Sequence, residues 1–272
     1  MRNKYLLLFL SLLLLGLNGC TKSPTGRNQL MLVSPETAIS ASKEAYVNTM
    51  APLSAKGKID NNPVVTERVQ KITGRLIHEA IEMYPYTENW EWAIKVIDDP
   101  EMVNAWCMAG GKMAVYSGLL QQIEPTDDEL AQVLAHEIAH ALSNHSAEKM
   151  SVAMASNVGL MSLAIALGGK KHAGLAIAGS VVAANLAIQL PNSREAEEEA
   201  DRIGIELAAR AGYDPRAAVT LWQKMGETGG SESPEFLSTH PSPSNRQETL
   251  KRLGPEMMPY YTEEKIHLIY VL

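Results

Sequence analysis

Leu130, Val133, Leu134, Ile138 and Leu142 recur at steps of three and four, the spacing of one buried helical face. Thr126, followed by Asp127, Asp128 and Glu129, offers a cap and an acidic first turn, which suits the positive end of a helix dipole. The pattern predicts a helix from about Asp127 to about His145. Two more helices are expected upstream, from Pro35 to about Met50 and from Pro63 to about Met83. Lys112 to Ser117 alternates as a short strand does, with Gly110 and Gly111 as the turn before it.

Two stretches are apolar almost throughout. Tyr5 to Leu17, behind Arg2 and Lys4, is long enough for a signal core but too short to cross a bilayer comfortably. It runs into Leu17-Asn18-Gly19-Cys20, which fits an A-x-A cleavage site poorly and resembles a bacterial lipobox. Residues 1–19 are therefore expected to be a lipoprotein signal peptide. Cys20 would be the acylated first residue, and residues 20–30, with the Ser, Thr, Pro and Gly of Thr21 to Arg27, a tether to the membrane. Thr21 in place of Asp favours an outer membrane lipoprotein facing the periplasm. The second stretch, Val152 to Leu190, is rich in Ala, Gly, Leu, Ile and Val and is broken at Gly168-Gly169-Lys170-Lys171-His172. Asn157, Ser162 and Asn185 argue against a span. Residues 151–190 read as an apolar helical insertion, either a hairpin or lid near a cleft, with surface for substrate, the bilayer or an envelope protein partner, or a buried core hairpin.

Over the 272 residues the formal net charge of −7 argues against nucleic acid, which needs a basic patch. The two cysteines are Cys20 and Cys107; with Cys20 lipidated, Cys107 has no partner in the chain and no structural disulfide is expected. Cys107 is expected to be buried beside Trp106. The length after the signal segment suits a single domain with a sizeable core.

His136-Glu137-Ile138-Ala139-His140 carries the chemistry. On a helix the two histidines project about 40° apart and both imidazoles can reach one metal ion. A Zn²⁺ ion held by two imidazoles and one further ligand keeps a position for water, lowers that water's pKa toward ~7 and polarises a carbonyl. Glu137 is placed to take the water's proton during attack on a peptide bond and pass it to the leaving amine. His145 lies about 180° around an ideal helix from His136 and is expected at a helix end or behind a ligand. A third ligand must come from elsewhere. In Ser193-Arg194-Glu195-Ala196-Glu197-Glu198-Glu199-Ala200-Asp201, Glu197 and Asp201 are four apart on one helical face. Glu197 would complete a His₂Glu set, and Asp201 would hydrogen-bond a ligand imidazole. Glu195, Glu198 and Glu199 are expected on a solvated face.

The HEIAH motif, the SRxxExEADxxG segment at 193–204 and Asn104-Ala105-Trp106 through Gly110-Gly111-Lys112 to Leu120 together resemble the gluzincin family that contains the CaaX prenyl proteases and HtpX. The likeness covers Val65 to Leu253 and is closer to the periplasmic bacterial and mitochondrial Oma-type members. It implies an α+β fold, a mainly helical minimal zincin-like domain over residues 31–254 with a small β-sheet, and residues 255–272 as a C-terminal extension. It implies that His136, His140 and Glu197 bind one Zn²⁺ and that Glu137 is the base. In such enzymes an edge strand pairs with an extended substrate, which favours unfolded polypeptide, and Lys112 to Ser117 is the candidate for that edge, with an ordinary core strand as the alternative. Thr239-His240-Pro241 through Arg246 is similar to the family's HPxxxxR, in which His240 and Arg246 would stabilise the oxyanion. His240 could instead take the fourth zinc position and leave the enzyme latent. Two functions follow: a zinc endopeptidase for unfolded or misassembled envelope proteins, or a largely latent zinc-binding chaperone or partner-activated scaffold.

Overall fold

The computed structural model describes residues 20–166, 191–228, 235–240, 246–261 and 267–272, with side chains of the helix ending at Ala166 given as far as position 156. The expected signal peptide and most of the apolar insertion lie outside the described residues.

Among the described residues the first elements are strands β1 (Cys20–Lys22) and β2 (Asn28–Leu30), paired antiparallel. Helices α1 (Pro35–Ala55) and α2 (Pro63–Met83) follow, then β3 (Ala93–Ile97), β4 (Ala105–Met108) and β5 (Lys112–Tyr116). The short α3 (Ser117–Gln122) leads into α4 (Asp127–Leu142) and α5 (His145–Ala166). Beyond the undescribed stretch come α6 (Arg194–Arg210), α7 (Ala217–Thr228), α8 (Glu235–Thr239) and α9 (Arg246–Met257). The fold is α+β and mainly helical, as expected from the motifs.

α4 begins where its sequence says it should. Thr126 Oγ1 accepts from the Glu129 amide at 3.2 Å and Glu129 Oε2 accepts from the Thr126 amide at 2.9 Å, so each satisfies an amide that a helix start leaves unpaired. From Glu129 to Leu142 every residue is buried, because α2, α6 and the sheet pack around this helix. The helix stops three residues short of the expected end. Asn144 adopts a left-handed conformation (φ 55°), and α5 then sets off in a new direction.

The sheet order is β3-β5-β4, with β5 parallel to β3 and antiparallel to β4. This corrects the expectation that Lys112 to Ser117 forms the edge: β5 is the central strand, with hydrogen bonds on both sides, and has none left for a substrate. Alternate residues divide between two cores. Ile94, Val96, Cys107, Met113 and Val115 face α2 and α4, while Trp106, Met108 and Ala114 face α1 and the start of α5. Gly111 (φ 78°) closes the β4–β5 turn, and a Cβ there would lie 2.2 Å from Trp92.

The expected tether is a hairpin. Residues 20–30 fold back between α5 and α6, with Gln29 2% exposed. The expected C-terminal extension is also docked: α9 runs through position 254 to Met257, and the Tyr270 amide donates to Gly74 O at 3.0 Å. Among the described residues no helix is long and apolar enough to cross a membrane.

Candidate metal centre

α4 and α6 cross at close range, and the contact is made at Gly204. A Cβ on that residue would lie 3.0 Å from His136 Cα and N, tighter than ordinary packing allows. The approach brings the Glu197 and Asp201 face of α6 onto the His136 and His140 face of α4. Ser193 caps α6 by accepting from the Ala196 amide at 3.2 Å, which fixes the helix one turn before Glu197.

The donor atoms converge. One ligand atom each from His136, His140, Glu197 and His240 lie within 4.8 Å of one another, and all four residues are buried. His136 Nε2 is 3.1 Å from His140 Nε2, 3.3 Å from His240 Nδ1 and 3.3 Å from Glu197 Oε2. His140 Nε2 is 3.4 Å from Glu197 Oε1. Zinc bonds of ~2.0–2.1 Å in a tetrahedron put neighbouring donors about 3.3 Å apart, so these residues fit the ion. Electrostatics agrees. Burial pulls the His136 imidazole down, but Asp201 and Glu197 outweigh it and raise it to about 9. Burial alone would raise Glu197; its hydrogen bonds with His136 and His140 hold it far below the carboxylate range. The ionised Glu197 carboxylate thus favours positive charge beside His136, whereas burial pushes the His140 imidazole well below its ordinary value.

Asp201 Oδ1 lies 3.1 Å from His136 Nδ1, behind the ring. Arg246 reaches the same place from α9. Its Nη1 donates to Glu197 Oε2 at 3.1 Å and its Nη2 to Asp201 Oδ1 at 2.5 Å, while the guanidinium lies 3.6 Å over the Trp222 ring. Each amino group thus gives one hydrogen bond to a carboxylate, and Nη2 also lies 3.4 Å from His136 Nδ1.

Glu137 points to the opposite side. Its Oε1 is buried without a hydrogen-bond partner, 3.4 Å from His240 Nε2. Burial raises its pKa above the ordinary carboxylate range. His240 sits just after α8 and stacks on Phe236 with centroids 4.4 Å apart, so one nitrogen faces the donor cluster and the other faces Glu137. A cavity of about 30 Å³ lies here, lined by Trp106, Cys107, Glu137, His140, Asn192 and His240 among others. That exceeds the ~10–15 Å³ that one water requires and is far below what a peptide needs. Cys107 is buried and its thiol is pushed well up by burial and by Glu137, which suits a packing residue and not a nucleophile.

Two residues around the centre, Asn192 and Glu199, escaped the sequence reading. Asn192 Nδ2 donates to Glu197 Oε1 at 2.7 Å and lies 3.3 Å from His240 Nδ1. Glu199, expected on a solvated face, is 4% exposed because the N-terminal hairpin covers it. His145 lies as expected, at the start of α5 and behind a candidate ligand, within 2.7 Å of His140, Nδ1 to Nδ1, because the chain turns at Asn144. Glu195 and Glu198 are exposed as expected.

Comparison with known proteins gives the same motifs a wider frame. The profile of peptidase family M48 matches residues 63–253. The chain is 36% identical over 248 residues to the mitochondrial metalloendopeptidase OMA1 of Bos taurus, covering 86% of this chain and 46% of that protein. It is 38% identical over 165 residues to the mitochondrial metalloendopeptidase OMA1 of Arabidopsis thaliana, covering 61% and 32%. It is 28% identical over 213 residues to the beta-barrel assembly-enhancing protease of Escherichia coli K12, covering 76% and 42%. The chain thus spans between about a third and a half of the length of these relatives.

Proposed function

Because this chain belongs to peptidase family M48, a family of zinc-dependent metalloproteases, we propose that it is a zinc metalloendopeptidase whose metal is held by His136, His140 and Glu197. The observation that carries this reading is the convergence of those three side chains, with Glu137 beside them. Zinc bound there supplies a Lewis acid that polarises the scissile carbonyl and acidifies water. Glu137 takes the proton from the attacking water and delivers it to the amine nitrogen as the carbon–nitrogen bond breaks; its burial, by raising its proton affinity, suits it to hold that proton between the two steps. Asp201 orients His136, and Arg246 holds Glu197 and Asp201 in register. This positioning role stands beside the expected oxyanion contact, for which Arg246 keeps a second N–H on each amino group and a buried Nε without a partner.

The substrate class is extended polypeptide. β4 is the sheet edge nearest the site, and its Trp106 and Cys107 line the same cavity as Glu137. A chain laid along β4 would bring its backbone to the metal. All four β4 residues are buried, however, and His240 stands between the donor cluster and Glu137. That closure favours a latent resting state in which His240 is the fourth donor and must swing out before substrate enters. A largely latent zinc-binding chaperone or partner-activated scaffold is the second reading, and the same contact supports it.

The finer reading places the enzyme at the cell envelope, anchored through Cys20 to the outer membrane and facing the periplasm, where it removes unfolded or misassembled proteins. Leu17-Asn18-Gly19-Cys20 behind an apolar run supports the anchor. The name of the Escherichia coli relative, a beta-barrel assembly-enhancing protease, supports the compartment. Mass spectrometry of the membrane-extracted protein tests it: a diacylglyceryl mass on Cys20 is expected, and Cys20→Ser that remains processed and membrane-bound would refute it.

Cleavage of an unfolded polypeptide, measured with zinc content for wild type, Glu137→Gln and His240→Ala, tests the activity. Expected are full zinc in the Glu137→Gln protein with activity lost, and faster cleavage by His240→Ala. Zinc without cleavage in every variant would favour the scaffold.

A further inference from the structure

The N-terminal hairpin makes more contact with the metal side of the molecule than a linker requires. Thr25 gives Glu199 Oε1 two hydrogen bonds, from Oγ1 at 2.7 Å and from its amide at 3.3 Å. Arg27 Nε donates to Glu199 Oε2 at 3.0 Å, and its two amino groups form a fork on Glu148, at 2.8 and 2.6 Å. Gln29 Nε2 completes the hairpin's grip, donating to Glu148 Oε2 at 3.0 Å and to Ser143 O, at the end of α4, at 2.7 Å. Gln29 and Glu199 are buried and Arg27 and Glu148 partly so, while Thr25 reaches in from the exposed turn of the hairpin.

Glu199 in turn faces His145. Its Oε2 is 3.2 Å from His145 Nε2, and both side chains are 2% exposed. His145 Nδ1 is 2.7 Å from His140 Nδ1. Only one proton arrangement satisfies the chain with neutral rings. His145 carries its proton on Nε2 and donates that N–H as a hydrogen bond to the carboxylate, which leaves Nδ1 to accept from His140. His140 then carries its proton on Nδ1 and turns an unprotonated Nε2 toward His136 and Glu197. A metal-binding imidazole needs this tautomer, and a partner on the distal nitrogen commonly sets it.

We propose that the hairpin completes the metal centre through positioning residues: Thr25 and Arg27 fix Glu199, Glu199 holds His145, and His145 sets the ring and tautomer of His140. The proposal rests on the reading of His140 as a ligand. Residues 20–30 are then part of the peptidase unit, although they lie outside the region that the family profile matches.

The test is zinc affinity by chelator competition and the visible spectrum of the cobalt-substituted protein, on the full chain. Arg27→Ala and Glu199→Gln are compared with wild type, His140→Ala and the exposed control Arg252→Ala. Loss of a group behind a ligand typically costs 10–100-fold in metal affinity. Arg27→Ala, which touches no ligand, is expected to weaken zinc binding by about tenfold and to shift the cobalt bands, Glu199→Gln by more, and Arg27→Lys to recover part of the loss. Arg252→Ala should match wild type. Should Arg27→Ala fail to fold, Thr25→Val, which removes one hydrogen bond to Glu199, takes its place. Unchanged affinity and spectrum in folded Arg27→Ala (or Thr25→Val) and Glu199→Gln overturn the proposal and leave the ligand reading standing. Wild type without zinc, or His140→Ala binding as tightly as wild type, overturns the ligand reading and this proposal with it.

Discussion

Arg246 shows how much the centre depends on charge pairs behind its ligands. It is 2% exposed and joins Glu197 to Asp201, so its removal strands two carboxylates in a buried place. Breaking one partner of a buried pair costs ~3–5 kcal/mol. Arg246→Ala is therefore expected to lower the melting temperature strongly and to weaken zinc binding; Arg246→Ala that melts with wild type would contradict the role assigned to it. His136 with His140, and Glu197 with Asp201, were legible because helical spacing turns four-residue intervals into a common face, and Glu137 was legible from its place inside the HEIAH motif. Glu199 was not. It lies two residues from Glu197, on a different side of the helix, and its burial depends on a hairpin some 170 positions upstream that read as a flexible tether. Asn192 gave no signal, since a lone asparagine before a capping serine reads as loop.

At the scale of elements, the approach of α4 to α6 decides whether the ligands meet. Gly204 has no Cβ where His136 backbone lies 3.0 Å away. Gly204→Val should push the helices apart, reducing both melting temperature and zinc affinity, whereas a loss of stability with zinc affinity intact would mean that the contact serves packing alone. The start of α4 offers a pH prediction. Burial raises Glu129, but Lys224, Thr126 and Thr220 outweigh it and hold its pKa below the usual value. A carboxylate depressed in the folded state stabilises it above the unfolded pKa, and that contribution fades as pH falls through the folded pKa. Between about pH 5 and pH 3, wild type should lose more stability than Glu129→Gln does, as read from melting temperatures. Parallel loss in the two proteins would contradict this. The helices Pro35 to Met50, Pro63 to Met83 and Asp127 onward were legible from apolar spacing and caps, to within a few residues. Strand order was not. An alternating segment with two buried neighbours looks the same in sequence as one at an edge, and only the pairing of β5 with both β3 and β4 distinguishes them.

For the whole molecule, both ends of the described chain are tied to the peptidase core: the hairpin through Arg27 and Glu199, the tail through Tyr270 and Gly74. A Cβ at Gly74 would meet Tyr270 O at 2.6 Å and Ile269 at 2.7 Å. Gly74→Ala should dislodge residues 267–272 and expose them to limited proteolysis, with zinc binding unchanged. The central claim, however, is chemical: one zinc held by α4 and α6, with Glu137 as the base for peptide hydrolysis. The measurement that tests it most directly is cleavage of an unfolded polypeptide by wild type, His240→Ala and Glu137→Gln at equal, measured zinc occupancy. The account predicts one zinc per chain in wild type and Glu137→Gln, cleavage by wild type that quickens in His240→Ala, and a fall of at least about a hundredfold in Glu137→Gln. Cleavage by Glu137→Gln at the wild-type rate, or fully zinc-loaded wild type and His240→Ala that both leave the polypeptide intact, would contradict it.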